Sequence, residues 1–127
     1  MTKIQLSKET ERYLANGLEV LKKAGKKGKY YEDGKYVKMA GHTLYSAMLL
    51  ALDDVLQKTR KNRNTESEYR KFLAGKNKSI LKDFNNAYFI LHQSMGYDGV
   101  LSNIVIQDGI KTAKNVINWV IKQKNQN

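Results

Sequence analysis

Cysteine and proline are both absent from this chain of 127 residues. Without cysteine there are no disulfides, no thiolate metal sites and no cysteine nucleophile. Without proline the commonest helix breaker is missing, and the abundance of Ala, Leu, Lys, Glu, Asn and Gln makes helix the default. Long hydrophobic runs are missing too. The longest uninterrupted apolar stretch, Ala47–Leu52, is far too short to span a bilayer. The opening MTKIQLSKET has neither an apolar signal core nor a cleavage signature, so the expectation is a soluble cytoplasmic protein with no membrane contact. Acidic residues are scarce beside basic ones, 12 against 23, for a net charge of +11. The length suits a single domain, 1–127, around one hydrophobic core.

The stretch Tyr36–Leu56, YVKMAGHTLYSAMLLALDDVL, carries the most information. At about 100° per residue, Tyr36, Val37, Ala40, Leu44, Ala47, Met48, Ala51 and Val55 form one continuous face. Leu49, Leu52 and Leu56 extend it around the side. That stripe is wider than a surface helix shows, so the helix must have partners on two sides and forms the centre of a bundle. Its polar strip holds Lys35, His42, Ser46, Asp53 and Gln57.

Four further helices are expected. Ser7 is a good N-cap for a first helix running to about Lys23, with Glu9 and Glu11 at its positive end and Leu14, Leu18 and Leu21 buried. AGKKGK stops it, because two glycines among lysines cannot continue a stable helix. After the polar TRKNRN loop, Thr65 and Glu68 make a capping box for a short helix carrying Tyr69, Phe72 and Leu73. The next helix, Asn77–Met95, places Ile80, Phe84, Ala87, Tyr88, Leu91 and Met95 on one face; Gly96 is its expected C′ residue. Gly96-Tyr97-Asp98-Gly99 reads as a tight turn. The opening of the last segment, VLSNIVI, has strand propensity, but no second strand-like run exists to pair with it. Helix from about Asn103 to Lys122 is therefore expected, burying Ile106, Ile110, Ala113, Ile117, Val120 and Ile121. Trp119, Phe89 and Ile90 fall off the centres of their faces. They suit extra core area, contact with the Thr65–Ala74 helix, or a homodimer surface.

The fold class that follows is all-α: an up-down four-helix bundle with an additional short helix in the middle crossover. With the first helix pointing up, Lys22–Lys29, Tyr30–Gly34 and Gly96–Gly99 gather at the top. The bottom collects Lys58, Arg60, Lys61, Arg63, Arg70, Lys71, Lys76, Lys78, Lys82, Lys122 and Lys124, offset by Asp53, Asp54, Glu66, Glu68 and Asp83. Such a field attracts polyanions, and Lys58, Arg60, Lys61, Arg63, Arg70 and Lys71 are the candidate polyanion-binding residues. The ordinary explanation is that lysines near helix ends favour the dipole and keep a surface soluble. Lysines outnumber arginines, and no helix-turn-helix, zinc-finger or RNP signature is present.

The top holds the more chemical group. His42 and His92 both fall near that end, with Tyr97 and Asp98, and Ser46 lies four residues after His42 on the same strip. His42, Ser46, His92, Tyr97 and Asp98 are the candidate functional surface. Imidazole and carboxylate suit general acid–base chemistry or metal binding, yet neither H-x-x-x-H nor E-x-x-H occurs. No metal, no cofactor and no catalytic residue is therefore assigned. A hydrogen-bonded structural role is the ordinary one for His92 beside Tyr88.

YYEDGKYVKMAGHTLYSAMLLALDDVL and ILHQSMGYDG resemble the signature stretches of a family of small bacterial helical proteins described as a domain of unknown function. The resemblance spans roughly Leu18 to Trp119, and LH-x-x-MGYDG is its most specific part. More remotely, the arrangement resembles HEPN-type bundles, some of which are RNases using Arg-x(4–6)-His and others helical partners of nucleotidyltransferases. Here Lys35–Lys38 and Asn85–Tyr88 stand where that arginine would precede each histidine, so the RNase residues do not carry over. The resemblance implies a bundle with a binding role. The expected function is a non-catalytic interaction module for a protein partner or homodimer. A nucleic-acid-associated role through the basic end is the alternative, and an enzyme built on His42 and His92 comes third.

Overall fold

The broad apolar face of Tyr36–Leu56 dictates the architecture. The computed structural model describes residues 8–56 and 65–125. In it α2, Gly34–Leu56, is packed on several sides, and Val37, Ala40, Ala47, Met48, Ala51 and Leu52 are wholly buried. Before it comes α1, Lys8–Lys23, and after it α3, Glu66–Ala74. Then α4, Lys78–Ala87, runs without a break into a π-helical segment, Tyr88–Tyr97, and α5, Asn103–Asn125, closes the chain. α1, the π segment and α5 all pack on α2, while α5 also packs on α4 and the π segment. The protein is an all-α bundle. Among the described residues no helix is long and apolar enough to cross a membrane.

Local chemistry sets the helix ends as expected where short motifs govern them. Glu68 N–H donates to Thr65 Oγ1, and Thr65 N–H donates to the Glu68 carboxylate, completing the capping box. Asn77 Oδ1 accepts from Ile80 N–H at 3.1 Å and opens α4. Ser7 and Gln57 lie outside the described residues, as do Lys58, Arg60, Lys61 and Arg63.

Three expectations need correcting. The AGKKGK segment does more than stop a helix, since β1, Lys26–Lys27, pairs antiparallel with β2, Tyr30–Tyr31. The extended entry to α5 joins this ladder: Tyr30 bridges Ser102, Tyr31 N–H donates to Leu101 C=O, and Asn103 N–H donates to Lys29 C=O. VLSNIVI thus found its pairing partner in a segment too short and polar to read as a strand. Second, Gly96 does not end a helix; it is buried inside one, and the helix continues to Tyr97. Third, the turn is shorter than Gly96–Gly99. Only Gly99 adopts the left-handed conformation, φ +64, where its N–H donates to Met95 C=O.

Phe89 and Ile90 part company. Ile90 is buried against Gly109 of α5, whereas Phe89 is 61% exposed. Trp119 is half-buried and meets Phe72 of α3 edge-on, ring centroids 6.3 Å apart. It therefore joins α3 to α5.

Candidate functional site

Two glycines make the site possible. A Cβ on Gly41 would stand 2.5 Å from the Leu91 carbonyl oxygen and 2.6 Å from Met95 Cβ. One on Gly96 would stand 2.8 Å from the His42 ring. α2 and the π segment therefore touch backbone to backbone where these residues cross. The close crossing brings His42, on α2, over the His92 face of the π segment.

The π geometry completes the group. In an α-helix, residues five apart point about 140° away from each other. Where bonds run i→i+5 instead, the wider turn brings them round toward the same side. Asp98 N–H donates to Gln93 C=O at 3.0 Å, a bond of that kind. Tyr97 accordingly sits edge-on to His92 at 5.1 Å between centroids, although 100° periodicity separates them. Tyr97 also meets His42 edge-on at 5.6 Å, and the two imidazoles lie 5.9 Å apart. Tyr45, one turn beyond His42, lies at 4.8 Å from His92, and Tyr88 at 5.3 Å.

Of the expected surface residues, the structure thus brings His42, His92 and Tyr97 into one cluster. Ser46 stays half-buried on the α2 strip and makes no hydrogen bond to either imidazole. Asp98 contributes its backbone N–H to the helix end while its side chain is exposed. Arg70 packs over the Tyr88 ring at 4.7 Å and the Phe84 ring at 5.7 Å, and donates from Nε to Asn85 Oδ1. Lys71 is exposed.

Periodicity alone missed Tyr45 and Glu66, whereas Tyr88 stands beside His92 as expected. A polar-tipped ring in the middle of an otherwise aliphatic face was the available signal for Tyr45. Its hydroxyl is buried, and among the described residues no hydrogen bond of normal geometry closes on it, although the Glu66 carboxylate is near enough to act on it. Burial, followed by the charge of Glu66, raises the Tyr45 phenol far above its ordinary range, so it stays protonated. His92 Nδ1 is likewise buried without a hydrogen-bond partner among the described residues. Burial lowers the His92 imidazole below its usual 6.5; Glu66 opposes the shift and His42 reinforces it. The cluster at neutral pH therefore offers the uncharged His92 imidazole and the protonated Tyr45 phenol. These groups can exchange hydrogen bonds or a proton with a bound group. No three His, Asp or Glu side chains among the described residues stand close enough to hold a metal ion.

Comparison with known proteins agrees with this reading of the fold. No curated protein matches the chain. A protein of unknown function from Dyadobacter fermentans has a similar solved structure, with 40% identity and a TM-score of 0.86. The match covers 97% of this chain and 99% of that one. Residues 5–122 match the family described as a domain of unknown function, DUF5618. The chain belongs to that family.

Proposed function

We propose that this protein is a non-catalytic cytoplasmic interaction module that contacts a protein partner, or a second copy, through the ridge of His42, Ser46, His92, Tyr97 and Asp98. The observation that carries this reading is Tyr97, which is 60% exposed while two imidazoles grip its ring edge-on. An exposed aromatic already held in one place loses little freedom on binding, and tyrosine is favoured at interface centres. Met39, one turn before His42 on α2, adds a 46% exposed apolar side chain. The remote resemblance to HEPN-type bundles fits a helical partner in this role. It does not extend to their RNase chemistry, because the preceding arginines are missing.

A photo-crosslinking residue at Met39, with a control at Lys111 on α5, tests the reading in cells. Adducts of discrete mass are expected from position 39 alone, and Tyr97→Ala should remove them; a mass of two chains identifies the second copy. Absence of adducts, or adducts indifferent to Tyr97→Ala, overturns the proposal. General acid–base catalysis is the second reading. It draws on the 5.9 Å approach of His42 and His92, close enough to share one reacting atom. The two readings part at His42→Gln, which removes the ionisable group but keeps a polar side chain. Catalysis would be abolished, whereas crosslinking should survive.

A further inference from the structure

Between Lys22 and Lys38 the chain carries seven lysines and only two carboxylates, Glu32 and Asp33. All seven lysines are exposed. Of these seven, only Lys22 has an ion-pair partner among the described residues, Glu19 at 3.8 Å. Asp33 is occupied, because its Oδ1 accepts the Lys35 backbone N–H at the start of α2.

Backbone bonds fix this charge in place. Glu32 N–H donates to Gly25 C=O, Asp33 N–H to Ala24 C=O, and the β2 strand is tied to residues 101–103. Within the hairpin Lys27 stands directly opposite Tyr30, so the two side chains share a face, while Lys26, opposite Tyr31, starts from the other face and is exposed on the outer strand of the ladder. Tyr31 turns inward instead, 8% exposed, with its hydroxyl accepting from Gln107 Nε2. The Tyr30 ring is thus left outside, 60% exposed, among cations.

We propose that this hairpin binds single-stranded nucleic acid, with Lys26, Lys27 and Lys29 on phosphates and Tyr30 stacked beneath a base. Lysines alone would serve any polyanion. A rigidly mounted, exposed aromatic among them adds a platform on which an unpaired base can stack, which a duplex does not offer because its bases are stacked inside, and lysines beside such a platform match a single strand. No arginine occurs between Arg12 and Arg60, so the forked contacts that read base edges are missing and binding is sequence-tolerant. The surface uses neither imidazole nor Tyr97, and the inference stands apart from the protein-binding ridge. It also moves nucleic-acid contact away from the basic end expected from the sequence to the connection between α1 and α2.

Fluorescence anisotropy of the full chain with labelled oligo-U and oligo-dT, about 16 nucleotides long, tests it over a salt series starting near about 50 mM. Tight binding to either strand supports the proposal; the pair of probes shows whether RNA or DNA is preferred. K26E/K27E/K29E should weaken binding at least about tenfold and reduce the salt slope by about two, the share of three phosphate contacts. K76E/K78E/K82E makes the same net-charge change on exposed lysines elsewhere and should move affinity less than about threefold. Y30A should cost about tenfold at an unchanged salt slope, since it removes stacking and no charge. Circular dichroism checks that each variant folds, and K26Q/K27Q/K29Q replaces the reversal should that one unfold. The proposal is overturned by absence of binding, by equal losses from both triple reversals, by no effect of Y30A, or by equal affinity for a duplex or poly-glutamate.

Discussion

At the scale of the single residue, His92 illustrates how surroundings set a proton equilibrium. Its Nδ1 is buried among Tyr45, Tyr88 and Tyr97 without an acceptor among the described residues, so a cation there would lose hydration and gain no hydrogen bond from them. The folded imidazole therefore titrates below 6.5, where the unfolded one titrates. As pH falls through 6.5 the unfolded chain takes up its proton first, and acid pulls the equilibrium toward unfolding. The contribution is neutral above 6.5 and becomes unfavourable below it, with a slope of at most about 1.4 kcal/mol per pH unit. Urea unfolding of the wild type and His92→Phe between about pH 7.5 and about pH 5 measures this. Phe keeps a ring in the stack, so the variant should lose less stability in acid; parallel pH profiles would contradict the burial argument.

At the scale of the element, the α2–π crossing separates two glycines that look alike in the sequence. The Cβ of Gly41→Ala would meet a backbone carbonyl and the Met95 Cβ, neither of which can swing aside. Overpacking of this sort costs about 3 kcal/mol. The nearest atoms to the Cβ of Gly96→Ala all belong to the His42 imidazole, on an exposed side chain that can rotate away. That change should cost about 1 kcal/mol while displacing His42 from Tyr97. Urea denaturation gives the two stabilities, and the histidine ring proton shifts report whether the imidazole pair survives. Equal costs would mean that the crossing is looser than its backbone contacts indicate. The π segment is tied to the same crossing, because π-helix is rare and persists where packing supports it.

At the scale of the whole molecule, α3 works as a strap across the bundle. Phe72 reaches Trp119 on α5, while Tyr69 meets Phe84 on α4 at 6.0 Å and donates its hydroxyl to Asp53 on α2 at 2.7 Å. One short helix thereby touches three others. Phe84 is wholly buried, so Phe84→Ala should cost about 3–5 kcal/mol. Phe72 is only half-buried, and Phe72→Ala should cost about 1–2 kcal/mol. It should also shift the fluorescence of Trp119, the chain's single tryptophan, to longer wavelength as the indole gains water. A loss of stability without that shift would place the role of Phe72 elsewhere than over the indole.

The amino-acid sequence by itself determined the helices and their centre. The wide apolar face of α2 demanded neighbours on more than one side, and Thr65, Glu68 and Asn77 marked helix starts through bonds made within four residues. Such signals are local, so they are legible in order along the chain. Only the tertiary structure decided that the π segment would carry the helix past Gly96, that Lys26–Lys27 would pair with Tyr30–Tyr31, and that Tyr97 would stand beside His92. Each of these depends on a segment distant in sequence: α2 against Gly96, the entry to α5 against β2. The physical reason is that local preference favours the four-residue hydrogen-bond step in a helix and does not specify pairing in a lysine-rich loop. Contacts made across the molecule decide both.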